Sequence, residues 1–167
     1  IKKIVTEKEQ GTYFSFYEDL EYINKPLDMF TYILKKILLS KAKNDAKTTE
    51  GILTRYFKEE CLYFPKIALY IIGNLIENYK NFFWDILKSD EQNIIFKNSD
   101  NFGDELRIIL ENLGELDEDQ IKILLKKIEN SAKSEDFKEN QELMLGLYKQ
   151  KFYKALSHNK HFNDQYK

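Results

Sequence analysis

Between Phe64 and Tyr79 the apolar positions follow the turn of a helix. Ala68, Ile71, Ile72, Leu75, Ile76 and Tyr79 recur at the i, i+3, i+4, i+7 spacing of one face. Ile67, Leu69 and Tyr70 place further apolar surface around the same helix. A helix that is hydrophobic on nearly all sides is buried between neighbours rather than laid on a surface. The pattern therefore predicts a central helix covered by others.

The same period recurs along the chain. Ser15 to Asn24 reads as a short helix with Phe16, Leu20 and Ile23 on one side. Pro26 is suited to open the next helix, because the first turn needs no proline N–H. That helix turns Leu27, Phe30, Ile33, Leu34, Ile37 and Leu38 inward and runs to about Lys41. Lys43 to Glu50 reads as a polar connector, with Thr49 as N-cap of a helix carrying Ile52, Leu53, Tyr56 and Phe57. The Phe64-Pro65 step starts the central helix, Asn78 to Asn81 is expected to bend it, and Phe82, Phe83, Ile86 and Leu87 carry it to about Ser89. A short helix is expected over Glu91 to Phe96, then a turn at Asn98-Ser99-Asp100-Asn101. Leu106, Ile109, Leu110 and Leu113 form a stripe closed by Gly114. Asp117 with Gln120 has the spacing of a capping box, followed by Ile121, Leu124, Leu125 and Ile128. Ser134 is the expected N-cap of a last long helix with Met144, Leu147, Tyr148, Phe152, Ala155 and Leu156 inward, and His158 to Lys167 is a polar tail.

The pattern predicts an all-α chain of seven to nine helices and no strand. Short connectors favour antiparallel neighbours. The expected architecture is stacked antiparallel helical hairpins, as an irregular HEAT-like α-solenoid or a bundle, compatible with a repeat of about 40–47 residues. A single domain is expected over 1–167, with N-terminal helices over 1–47 and a helical-repeat core over 48–160. The start at Ile1 reads as that of a fragment of a longer protein.

Composition adds exclusions. Two prolines and six glycines among 167 residues suit helix better than strand. Net charge is −2 and the only arginines are Arg55 and Arg107, so a dedicated nucleic-acid binder is disfavoured. One cysteine, Cys61, cannot form an internal disulfide, and a cytoplasmic location is expected. No apolar run reaches the length of a membrane span.

Candidate chemistry is sparse. His158 and His161, with Asp164, have helical spacing for a shared metal, but solvated histidines are the better reading. Cys61 lies beside Leu62, Tyr63 and Phe64, the setting of a buried inert thiol rather than of a nucleophile paired with a distant histidine. The acidic run Asp100, Asp104, Glu105, Glu111, Glu115, Asp117, Glu118 and Asp119 is opposed in sequence only by Arg107. It reads as solvated and capping charge, with a docking face for a basic partner as the alternative. Lys149, Lys151, Tyr153 and Lys154, with Lys160, Lys167, Phe152, Phe162 and Tyr166, interleave basic and aromatic residues as single-strand binders do; a solvated helix face is the simpler reading. No phosphate-cradling glycine loop is present. No catalytic residue, cofactor or metal is expected.

The run Phe64-Pro65-Lys66-Ile67-Ala68-Leu69-Tyr70-Ile71-Ile72-Gly73, followed by Phe82-Phe83-Trp84-Asp85-Ile86-Leu87, resembles helical-repeat regions of large bacterial multidomain proteins, NTPase-linked and of the antiphage-defence type. Glu105 to Leu113, Leu116 to Ile128 and Tyr148 to Leu156 are similar in order and spacing, so the resemblance spans about residues 50–160. Lys66 stands where an arginine is usual, and no tryptophan lies near Phe152. The resemblance implies a non-catalytic scaffold that binds a protein partner or other domains of its own chain. Binding of nucleic acid through Lys149, Lys151, Tyr153 and Lys154 is the alternative.

The central helix gives a direct test. Ile72→Asp places an unpaired charge among apolar neighbours and should cost several kcal/mol, on the order of 4, enough to unfold the chain. A melting temperature near that of the unaltered chain would show the helix to be peripheral.

Overall fold

A computed structural model describes residues 26–131 and 139–165. Among these residues the chain is all helical, with nine helices and no strand. They are α1 (Pro26–Asn44), α2 (Ala46–Phe57), α3 (Tyr63–Asn74), α4 (Ile76–Ser89), α5 (Ile94–Lys97), α6 (Ser99–Asn112), α7 (Glu118–Asn130), α8 (Glu139–Leu156) and α9 (Lys160–Gln165). They group into two compact units, 1–79 and 80–167, whose boundary falls within α4. The expected helix over Ser15 to Asn24 and the cap at Ser134 lie outside the described residues.

In the first unit α1, α2 and α3 pack against one another. α3 is the buried centre that its sequence requires: Phe64, Pro65, Ile67, Ala68, Leu69, Ile71, Ile72 and Gly73 are all buried. Pro65 lies in the first turn, where its missing N–H has no partner to lose. The Tyr56 and Phe64 rings meet at 5.1 Å. The buried Tyr79 hydroxyl donates to the Ala42 carbonyl at 3.1 Å.

Three details of this unit differ from the sequence reading. The connector over Lys43 to Glu50 shrinks to Asp45, whose carboxylate accepts from the Thr48 N–H at 3.1 Å and caps α2. Thr49 is instead buried within α2, its hydroxyl donating to the Asp45 carbonyl at 2.7 Å. The bend expected at Asn78 to Asn81 comes earlier, at Leu75, which leaves helical geometry with φ −133° and ψ 36°. Gly73 and Asn74 explain the shift. Both are weak helix formers, and the Asn74 amide donates back to the Tyr70 carbonyl at 2.8 Å. The third difference concerns α1, where Phe30, Ile33 and Ile37, expected to face inward, are exposed.

The second unit is organised around α6 and α8, which make its most extensive helix–helix contact. Gly103 makes this possible. A Cβ at that position would lie 2.0 Å from the Tyr148 ring. Tyr148 in turn stacks on Phe152 at 6.2 Å, and Phe152 meets Phe96 edge-on at 5.6 Å. α7 carries its stripe Ile121, Leu124, Leu125 and Ile128 to the interior, as its period requires.

Helix ends are closed by specific groups. The capping box at α7 is complete: the Asp117 carboxylate accepts from the Gln120 N–H at 2.8 Å, and Gln120 Oε1 accepts from the Asp117 N–H at 3.1 Å. Gly114 follows the end of α6 with φ +70°, the left-handed residue expected there. Two expected elements shift. The short helix expected over Glu91 to Phe96 begins at Ile94, because the Asp90 carboxylate accepts from the Ile94 and Ile95 N–H groups at 2.8 and 3.1 Å. The turn cluster at Asn98 to Asn101 narrows to Asn98, and Ser99 already belongs to α6. Ser and Asp suit a first turn as well as a loop, so composition alone could not separate the two.

Gly103→Ala should destabilise the chain by about 1–3 kcal/mol in urea unfolding, because the Tyr148 ring must move. Gly51→Ala, which meets nothing within 4 Å on α2, should be neutral or stabilising by about 0.5–1 kcal/mol. Equal effects at the two positions would refute the close α6–α8 approach. A second expectation concerns pH. Hydrogen bonds from Thr48 hold the Asp45 carboxyl below its ordinary value. The capped state therefore gains stability above the unfolded carboxylate's pKa and loses it as pH falls through the lower folded value. Asp45→Asn keeps a capping side chain and should flatten the acid limb of a melting-temperature-against-pH curve below about pH 4.

Candidate functional site

The sequence-selected residues on α8 do not form one surface. Lys149 and Tyr153, one turn apart, both turn to Glu129 on α7: Lys149 Nζ lies 3.0 Å from Glu129 Oε2, and the Tyr153 hydroxyl bonds to Oε1. Lys151 points elsewhere, 4.0 Å from Asp104 and 4.6 Å from the centre of the Tyr148 ring. Lys154 is exposed. A phosphate backbone would have to displace two carboxylates from these lysines.

The other candidates also stay apart. Among the described residues, no three of His, Cys, Asp and Glu gather so as to hold a metal ion. His158 is exposed, and the His161 N–H donates to the Asn159 side chain at 3.2 Å. The Asp164 side chain lies outside the described ones. Cys61 is half-buried in the connector before α3, not in the core as expected.

The acidic run is more divided than its sequence suggests. Glu105 is fully buried, contrary to a solvated reading. Glu111 pairs with Arg107 at 2.7 Å and Glu118 with Lys122 at 2.6 Å, both between successive turns of one helix. That partnership holds the Glu118 carboxyl below and the Lys122 ammonium above their ordinary values. Asp117 is spent on the cap.

Two features stand out that the sequence reading missed. The first is the outer side of α1. Met29, Phe30, Ile33 and Ile37 are 55%, 41%, 47% and 59% exposed. The opposite side of the same helix buries Thr31 and Lys35 at 6% and 7% exposure. Polarity is thus inverted around Thr31 and Lys35, while further along the same side Leu38 and Ala42 are buried in the ordinary way. The buried polar groups are accommodated from within the unit: Thr31 hydrogen-bonds the Tyr63 hydroxyl, and Lys35 Nζ lies 4.3 Å from the centre of the Tyr70 ring. The inward positions Thr31, Lys35, Leu38 and Ala42 keep helical spacing, but a reading by hydrophobicity favours the apolar stripe beside them.

The second is an open cleft of about 350 Å³ in the second unit. One wall is a face of α4 bearing Asn81, Trp84, Asp85 and Lys88; the other is the start of α7 with Asp117, Asp119, Gln120 and Ile123. Trp84 is 5% exposed, and its indole Nε1 is buried without a hydrogen-bond partner. Leaving a buried donor unmet costs about 1–3 kcal/mol, so such a group asks for an explanation. The sequence signal was present in half: a polar stripe at i, i+3, i+4, i+7 interrupted by one indole. The other wall comes from a distant part of the chain.

No helix among the described residues is long and apolar enough to cross a membrane. Comparisons with protein-family models, with curated proteins and with solved structures find no match to this chain.

Proposed function

We propose that this chain is a non-catalytic helical scaffold whose α1 face binds a protein partner or another domain of a longer parent chain. The observation that carries the reading is the stripe Met29, Phe30, Ile33 and Ile37, exposed on a helix that buries a lysine and a threonine on its other side. Burying a side chain of this size is worth about 1.5–3 kcal/mol, and contiguous apolar surface of this kind marks interaction sites. The resemblance of residues 50–160 to helical-repeat regions of bacterial defence-type proteins is in keeping with the same reading. Stacked helices offer broad surfaces for this use. The α8 lysines suit it less well, since Lys149 and Lys151 already face carboxylates.

A photo-crosslinking residue placed at position 33 tests the reading in cells. It should join the chain to one discrete protein species, or to a neighbouring domain of its parent, and Ile37→Glu should abolish the product. The same group at Lys122, on the exposed side of α7, should give none. Equal labelling from both positions would overturn the proposal. So would saturable binding of a single-stranded oligonucleotide that weakens steeply with salt and is lost in Lys154→Glu, which would establish the nucleic-acid alternative.

A further inference from the structure

The apolar stripe of α1 is bordered by positive charge. Met29, Ile33 and Ile37 follow one another at intervals of four, so they form a single ridge along the helix, with Phe30 beside it. Lys36 and Lys43 flank the ridge on one edge and Lys41 closes it at its C-terminal end, and all three are exposed. Lys36 lies over the Tyr32 ring, its Nζ 5.3 Å from the centre. From Met29 to Asn44 the helix holds no carboxylate at all. Among the described residues none of these three lysines lies in an ion pair, in contrast to Lys149 and Lys151 on α8. Asp45, next along the chain, feels the charge of Lys41, but its carboxylate caps α2. A second copy of this face would set lysines against lysines, and like charges across an interface oppose binding. An anionic bilayer would meet a chain of net charge −2 through an apolar ridge only about 12 Å long, roughly two helical turns. A helix of another protein fits both features. Its groove accepts a ridge of four-residue period, and carboxylates beside that groove meet the lysines.

We propose that the α1 face binds an amphipathic helix of a protein partner whose apolar stripe is bordered by glutamate or aspartate. Met29, Ile33 and Ile37 enter the groove of that helix, Phe30 packs on its flank, and Lys36, Lys41 and Lys43 face its carboxylates. This partner class rests on the reading of α1 as the binding surface, and adds the chemistry of what is bound. The ridge supplies most of the affinity. The lysines choose among partners, since charges at the edge of an interface govern specificity and encounter more than affinity.

The probe is a blocked, fluorescein-labelled peptide of about eighteen residues, with leucine at i, i+4, i+7 and i+11 and glutamate on both borders. Its control has lysine in place of every glutamate. In fluorescence anisotropy against the whole chain the glutamate peptide should bind saturably, and the lysine peptide about tenfold or more weakly. Ile37→Glu should abolish binding of the glutamate peptide. Lys36→Glu combined with Lys41→Glu should reverse the preference between the two peptides. These side chains are exposed, so the melting temperature should hold in each variant. Equal binding of both peptides, lost in Ile37→Glu, would overturn the acidic partner class and leave α1 standing as a protein-binding face. Absence of saturation by the glutamate peptide would overturn the class as well, and crosslinking from position 33 then decides the wider reading on its own. Binding to vesicles of phosphatidylcholine with about one quarter phosphatidylserine, or a dimer in sedimentation, either of them lost in Ile37→Glu, would assign the face to a membrane or to a second copy and overturn the proposal.

Discussion

A helix without a polar side has to be enclosed, and α3 is such a helix. Eight of its twelve residues are buried, and of its last turn only Asn74 is exposed. The remainder of the first unit follows from this demand. α1 and α2 both pack on α3 and on each other. For α1 the demand has a further consequence. Its inward side meets the Tyr63 and Tyr70 side chains of α3, whose hydroxyl and ring face give the buried Thr31 and Lys35 partners that offset their burial. The helix then has two polar residues on the inside with Leu38 and Ala42, and leaves Met29, Phe30, Ile33 and Ile37 outside. The exposed stripe is a product of how α3 is covered.

The second unit depends more on how helix ends are closed than on one central element. Asn93 occupies the left-handed region at φ +57°, a conformation that asparagine tolerates better than most residues. Its amide donates to the Lys127 carbonyl at 2.7 Å, and the Lys127 ammonium donates to the Asp90 carbonyl. The α4–α5 turn is thereby stitched to the end of α7. At the other end of α7, Lys80 reaches the carbonyls of Leu113 and Glu115, at 2.5 and 3.5 Å, beside the left-handed Gly114. Lysine near a helix C-terminus complements its dipole as well as its open carbonyls. These ties fix the head of α7 against α4, and the cleft lies along that seam.

How far the sequence discloses all this depends on the kind of signal. The enclosure of α3 was legible because period and hydrophobicity agree at every position from Ile67 to Ile72. The α7 cap was legible because Asp117 and Gln120 act within four residues. Gly114 was legible for the same local reason. Thr49 was misjudged because Asp45, four residues earlier, is the better acceptor and converts the polar connector into helix. The orientation of α1 was misjudged because periodicity identifies a stripe but not what faces it; the tyrosines that receive Lys35 and Thr31 lie on another helix. The Glu129 partnership of Lys149 and Tyr153 was invisible for the same reason, joining residues on two helices.

Charge read along the chain and charge read in space therefore lead to different conclusions. In sequence the acids from Asp100 to Asp119 form one block with a single arginine against it. In space the block disperses: Glu105 is buried, Glu111 and Glu118 are paired, Asp104 lies near Lys151, and Asp117 holds a helix end. Surface pairs of this kind add little to stability, so their effect is chiefly to remove free charge from the surface. What the block retains in the cleft is Asp119, together with the unspent part of Asp117. Asp85, from outside the block, joins them because it shares the Asn81–Trp84–Lys88 face of α4. The cleft there is lined by three carboxylates from α4 and the start of α7, by one opposing lysine and by Trp84. None of these residues would attract notice alone, and their meaning comes from the seam that brings them together.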